Sequence, residues 1–259
     1  MGRLLRHLLL PVLACLLAGP VTANINREIH RFYGYAFDQK SGRYLYTEVH
    51  HQVYEDDTWV GGTIRYFGAD GQLLGEKTLD FSHDPYVPVF RLSLPGEGYA
   101  EGISAVATDS IEVDKQKDGR REHARIERVP SMVADSGFHS FVVQHLEELR
   151  QDRTVIMDFI AVGRLHDYRF RLQRVSESQV DGHTLLRIRA EPDSLLRYMV
   201  PPLMMEYDLQ THYLVEYRGL SNLHDPATGK ALLVRLVYPP HPPSGAPASL
   251  PPLDAADSP

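Results

Sequence analysis

The chain has 259 residues, a formal net charge of −7, and 43% hydrophobic against 24% charged residues. That is enough chain to bury a core without disulfide staples, and the balance excludes a wholly disordered chain and an integral membrane bundle. The acidic excess argues against a nucleic-acid binder, and a lone cysteine, Cys15, excludes a disulfide framework, a thiolate zinc site and an iron–sulfur cluster.

In chain order, residues 1–23 have the layout of an export signal: Arg3 and Arg6 form a positive start, Leu8 to Leu17 an apolar centre, and Val21-Thr22-Ala23 a small-residue cleavage site before Asn24. The apolar stretch is about 16 residues, broken by Pro11 and Pro20 and short of the roughly 20 that a span requires. No transmembrane span is expected, and the folded part is placed in the periplasm. An alternative is an outer-membrane lipoprotein lipidated at Cys15; Leu13 departs from the small residue wanted there, so ordinary cleavage is preferred.

From 24 to 238 the pattern is a β-rich domain. Period-two alternation predicts strands at 29–37, 43–55, 58–68, 72–81, 98–107, 122–129, 154–162, 167–175, 183–191, 203–209, 212–219 and 230–238. Asp70-Gly71, Asp118-Gly119 and Asp181-Gly182 mark tight hairpins, and Asp38 to Gly42, Asp225 to Gly229 and Asp208 to His212 mark a recurring longer turn. One segment differs. Between Ser136 and Gln151, Phe138, Phe141, Val142, His145, Leu146 and Leu149 form one helical stripe, with Asp135 or Ser136 as N-cap and His145 as a partly buried, hydrogen-bonded histidine. The fold class is therefore mainly β: a single strongly curved antiparallel meander, a half barrel or open barrel of about 11 or 12 strands, with the amphipathic helix packed on or plugging it. Residues 239–259 hold eight prolines among Ser, Gly and Ala, the composition of a disordered or polyproline II tail.

Catalytic signatures fail. Ser104 lacks the second glycine of a nucleophile elbow, and adjacent His50 and His51 point to opposite faces of a strand. No catalytic residue, metal site or cofactor is expected. Two groups are candidates for ligand binding. Tyr44, Tyr46 and His50, with Glu48, share one face of the second strand, opposite Leu45, Val49 and Val53, which are expected to face the core; the preferred reading of the polar face is an outer ladder with Tyr66 and Glu76, and ligand binding is the alternative. Leu196, Met199 and Met204 lie in the irregular apolar run around Pro201-Pro202, where flexible side chains suit an acyl chain or fill gaps in a core.

The order of Gly42-Arg-Tyr-Leu-Tyr-Thr-Glu, Tyr66 with Asp70-Gly71, Lys77-Thr-Leu-Asp-Phe81, Asp135-Ser-Gly-Phe138 and Arg187 to Pro192 resembles a family of exported proteobacterial proteins of unknown function, over most of residues 29–238. At fold level the pattern is also similar to periplasmic lipoprotein-carrier half barrels, which hold acyl chains. That resemblance implies a periplasmic module binding an apolar or lipid-like ligand in the concave face of its sheet. The alternative is a non-enzymatic envelope interaction or assembly factor with an envelope protein as partner, using a sheet edge or the proline tail; an enzyme of unrecognised type ranks third.

Overall fold

The computed structural model describes residues 26–253. The export signal and Cys15 lie outside the described residues. One sheet of 15 strands dominates. Its first half runs β1 (Arg27–Asp38), β2 (Tyr44–Glu55), β3 (Thr58–Gly68), β4 (Leu73–Asp80), β5 (Val89–Leu94), β6 (Tyr99–Val106), β7 (Ser110–Lys117) and β8 (Arg120–Glu127), each strand beside the one before it. A short strand, β9 (Met132–Ala134), leads into the helices α1 (Gly137–Gln144) and α2 (Leu146–Arg150). The second half follows as β10 (Val155–Ala161), β11 (His166–Val180), β12 (His183–Pro192), β13 (Leu203–Asp208), β14 (Leu214–His224) and β15 (Ala231–Val237).

The sheet order is β8 back to β1, then β15 back to β9. Two meanders thus meet at a central seam where the first described strand pairs with the last, through only Tyr35↔Val237, Ala36↔Leu236, Phe37↔Arg235 and Asp38↔Val234. The outer edges are β8 and β9, consecutive in the chain and joined by residues 128–131. So short a link requires the sheet to roll until its edges come near each other, and β8 also touches β11. The edges are not hydrogen-bonded to one another, so the barrel stays open.

The turns follow their chemistry. Asp118 and Gly119 have φ of 50° and 80°, and Asp181 and Gly182 have 49° and 85°, the paired positive φ of tight primed hairpins. The three longer turns share one hydrogen bond: Gly42, His212 and Gly229 donate their N–H to the carbonyls of Asp38, Asp208 and Asp225 at 2.9, 2.8 and 2.7 Å. His212 adopts the left-handed backbone (φ 61°) that glycine takes in the other two.

The alternation missed β5, β7 and β9. Prolines at 85, 88 and 95 bracket β5, β7 has only Ile111 and Val113 as apolar members, and β9 is three residues long and pairs in parallel with β10. The predicted single helix is broken at His145, whose Nδ1–H donates to the Phe141 carbonyl at 2.8 Å. Ser136 holds the N-cap position of α1 but makes no side-chain capping hydrogen bond. Asp135 is instead drawn to a lysine, described below.

The register carries one face across the seam: Ala36 opposes Tyr46 and Leu236, Leu236 opposes Tyr217, Tyr217 opposes Met205, and Met205 opposes Ile188. This is the inner face. In the first half it is filled by Ile64, Tyr66, Leu79, Phe90, Leu92, Ile103 and Val113. In the second half it meets the helices, whose Phe141, Val142, Leu146 and Leu149 pack on Leu172, Leu186, Ile188 and Met205. The helical stripe therefore lies inside the curve of the sheet and plugs it. No helix among the described residues is long and apolar enough to cross a membrane.

Candidate functional site

On β2 the inward positions are Tyr46, Glu48 and His50. Glu48 sits between Gly34 and Tyr66, and His50 between Phe32 and Ile64. Gly34 is required here, since a β-carbon would lie 2.8 Å from Tyr238 Cε1 and 3.1 Å from Glu48 Oε2. The Glu48 carboxylate is 2.8 Å from His50 Nε2 and accepts from the Tyr238 hydroxyl at 3.4 Å, and the His50 ring stacks on Phe32 at 4.5 Å. Both Glu48 and His50 are almost wholly buried, at 5% and 6% exposure. Tyr46 shares a hydrogen bond with Ser221 (2.7 Å), and Tyr66 accepts one from Asn222 (3.1 Å). Burial first, and the Glu48 charge second, push the Tyr46, Tyr66, Tyr217 and Tyr238 phenols above their ordinary range. These tyrosines stay protonated and neutral.

Further ionisable groups fill the same interior. Lys77, 2% exposed on β4, is 2.6 and 2.8 Å from the two Asp135 oxygens, and its Nζ lies 5.8 Å from the Phe90 ring centre. Asp135 is held at φ 44° and also accepts from the Ser136 N–H and hydroxyl. The pair ties the entry of α1 to the opposite half of the sheet. Tyr99 donates to Glu101, and burial raises the Glu101 carboxyl above its usual range despite that hydrogen bond. Less buried, with side chains 27% and 25% exposed, the carboxylate of Glu97 takes the His224 Nδ1 at 2.6 Å. On α1, His139 stacks on Tyr207 at 5.7 Å, and burial pushes its pKa down to about 4, so its ring is neutral at neutral pH. Chemically this arrangement pairs acids with bases and phenols inside a packed interior. It fixes which strands face each other, in a space already occupied by side chains. Two surface concavities, one at Leu79, Phe90, Ile103 and Asp114 and one at the turns near 38–40 and 225–233, reach none of the six candidate residues.

The six candidates do not converge. Tyr46 and His50 share the inner face. Tyr44 does not join them, because the β1–β2 register slips between Ala36 and Phe37 and places it opposite Phe37, edge-on at 5.3 Å on the outer face. Of the ladder partners, Tyr66 does oppose Glu48, whereas Glu76 faces outward and accepts from Arg65 at 2.7 Å. Met204 is on the outer face of β13 opposite Arg189 and Arg218, while Met205 points inward. Leu196 lies in a single 3₁₀ turn over Leu195–Tyr198 and Met199 is its C-cap; the Ser194 hydroxyl caps the other end, accepting from the Leu196 N–H at 3.2 Å. In that turn Leu195, Tyr198 and Met199 are 78%, 75% and 81% exposed. Residue-by-residue reading missed Lys77, Asp135, Glu101 and His139. Lys77 carried a signal, since it alternates with Gly75 and Leu79 on a face that an unpaired lysine could not occupy.

Fold and interior together define the class: a mainly β, barrel-like protein with one open, rolled sheet and a helical plug. The sequence matches no family model and no curated protein. Among solved structures, the chain is similar to a β-barrel-like protein of a domain of unknown function from Brucella abortus, at 9% identity and a TM-score of 0.36, over 81% of this chain and 95% of that one.

Proposed function

We propose that the protein is a non-enzymatic factor of the bacterial envelope that contacts apolar or lipid-like material through the turn Leu195–Met199, outside the lumen of its sheet. The observation that carries this reading is the contrast between the two apolar groups. The concave face is packed with Tyr, Lys77–Asp135 and the helices, whereas the turn presents Leu195, Leu196, Tyr198 and Met199 to solvent within five consecutive residues. Large exposed side chains clustered this way mark interaction sites on soluble proteins. The Arg197 guanidinium lies 4.8 Å from the Tyr198 ring and donates to its hydroxyl at 3.2 Å. An Arg–Tyr pair beside leucine and methionine suits the boundary between lipid headgroups and acyl chains, where amphipathic rings and cationic heads settle. A protruding turn of this size is too small for a stable protein interface, which takes about 800 Å² from each partner. The Arg3 to Ala23 segment supports an envelope location through its signal-like layout.

Flotation of the full chain with vesicles containing phosphatidylglycerol tests the proposal. The protein is expected to float with the vesicles, and L195S/M199S to remain at the bottom of the gradient with an unchanged circular dichroism spectrum. Wild-type protein that never floats, or a double variant that floats as well as wild type, overturns it.

A further inference from the structure

The outward side of the central seam is unlike the rest of the outer face. Tyr33, Tyr35 and Phe37 project outward from alternate positions of β1, joined by Tyr44 from β2 and Val237 from β15. Tyr35 and Phe37 are 1% and 6% exposed, although the opposite side of their strand is the one that faces the main core. Their cover is the proline-rich segment. Where composition predicts a solvated tail, residues 239–253 instead rest on these rings without forming a strand or helix. Ala246 and Leu250 pack against the aromatic cluster, and the Tyr33 hydroxyl donates to the Pro251 carbonyl at 2.5 Å. Half-buried positions recur at Pro243, Ala246, Pro247, Leu250 and Pro251, so the segment turns one side to the sheet about every third or fourth residue. The local bond from the Ala246 N–H to the Pro243 carbonyl makes a turn, and the tyrosine supplies the contact to backbone.

Aromatic rings that receive a proline-rich chain, with a tyrosine hydroxyl bonding its carbonyl, are the physical basis of polyproline recognition. The ligand has little conformational entropy to lose and its carbonyls are unpaired. We propose that the outer aromatic face of the seam is a recognition site for proline-rich polypeptide segments, and that residues 239–253 are its resident, exchangeable occupant. The segment is held by ring contacts and a side-chain hydrogen bond, with no ladder, so it can leave while the sheet persists. The partner that displaces it is a polypeptide segment of the same chemistry: proline at intervals of about four, small or aliphatic residues between, and no charge at the contact.

The experiment uses the full chain with a protease recognition sequence inserted after Pro240 and a fluorescein-labelled synthetic peptide of residues 241–253. After cleavage the peptide is expected to bind saturably by fluorescence anisotropy. Before cleavage binding should be much weaker, because the tethered segment competes at an effective concentration of the order of millimolar. Tyr33→Phe is expected to weaken binding by about threefold to tenfold, the loss of one hydrogen bond. A cleaved chain that keeps its β circular dichroism yet binds no peptide overturns the proposal, as does binding indifferent to Tyr33→Phe. If cleavage unfolds the chain, the uncut protein decides. With a spin label at the exposed position Ser249→Cys in a Cys15→Ser background, excess unlabelled peptide should mobilise the label. A label that stays immobile shows a fixed strap and refutes exchange.

Discussion

Replacing Lys77 by methionine isolates the contribution of the buried ion pair. The lysine and Asp135 are 2% and 8% exposed, and their closest approach is 2.6 Å. At an effective dielectric near 20 that separation is worth roughly 6 kcal/mol of attraction, offset by several kcal/mol for desolvating each ion. The net value of the pair is therefore small. Breaking it from one side is different, since K77M leaves the buried Asp135 charge without its cation, held only by the Ser136 N–H and hydroxyl, and loss of one partner of such a pair costs about 3–5 kcal/mol. Asn at 135 tolerates the positive φ found there, so K77M/D135N removes both charges without forcing the backbone. The double variant is expected to recover most of the K77M loss. Urea unfolding followed by fluorescence of Trp59 measures both, because this single tryptophan lies 4.3 Å from Phe81 and 6.3 Å from His139 of α1 and reports on the joint the pair secures. A K77M loss below about 1 kcal/mol, or a double variant no more stable than K77M, would refute the argument that the charge is buried and compensated.

Gly34→Ala drives a methyl against Tyr238 and Glu48 and is expected to cost about 1–3 kcal/mol, read as a lower melting temperature with unchanged β content. His139 is held near pKa 4 against about 6.5 unfolded, so the unfolded chain binds its proton first as pH falls. Its contribution is intact above pH 6.5 and lost on acidification toward 4, by roughly 3 kcal/mol. The His139→Phe variant should flatten the difference in stability between pH 7 and pH 4.5, and equal pH slopes for variant and wild type would contradict the burial assigned to this ring. Vesicle flotation with L195S/M199S and peptide exchange at the seam complete the set.

Much of the fold was legible. Turn chemistry at Asp118-Gly119 and Asp181-Gly182 is local, so it survives any tertiary context. The helix stripe was legible too, because Phe141, Leu146 and Leu149 repeat at helical spacing inside a run of strands. Facing was not. On β2 the alternation separates Tyr46, Glu48 and His50 from Val49 and Val53, and the expectation that the apolar set faces the core is reversed: the polar set is inside. The polar set is inside because Ser221 and Tyr238, both far along the chain, supply partners for Tyr46 and Glu48. Composition judged residues 239–253 alone, and the aromatic surface they rest on is contributed by strands about 200 positions earlier.

The seam also sets the order of assembly. Tyr35 and Val237 are about 200 positions apart, so the ladder that unites the sheet is among the most non-local contacts in the molecule. A chain synthesised from its N-terminus makes β1 early and must wait for β15, and during that interval the free edge of β1 exposes Tyr35, Ala36 and Phe37 with unpaired backbone. Strands β1–β8 and β10–β15 can each form by hairpin extension, but the two halves join only once the last strand docks. The interval before docking is thus when the nascent chain is most prone to aggregate, or to exchange strands with a second copy of itself.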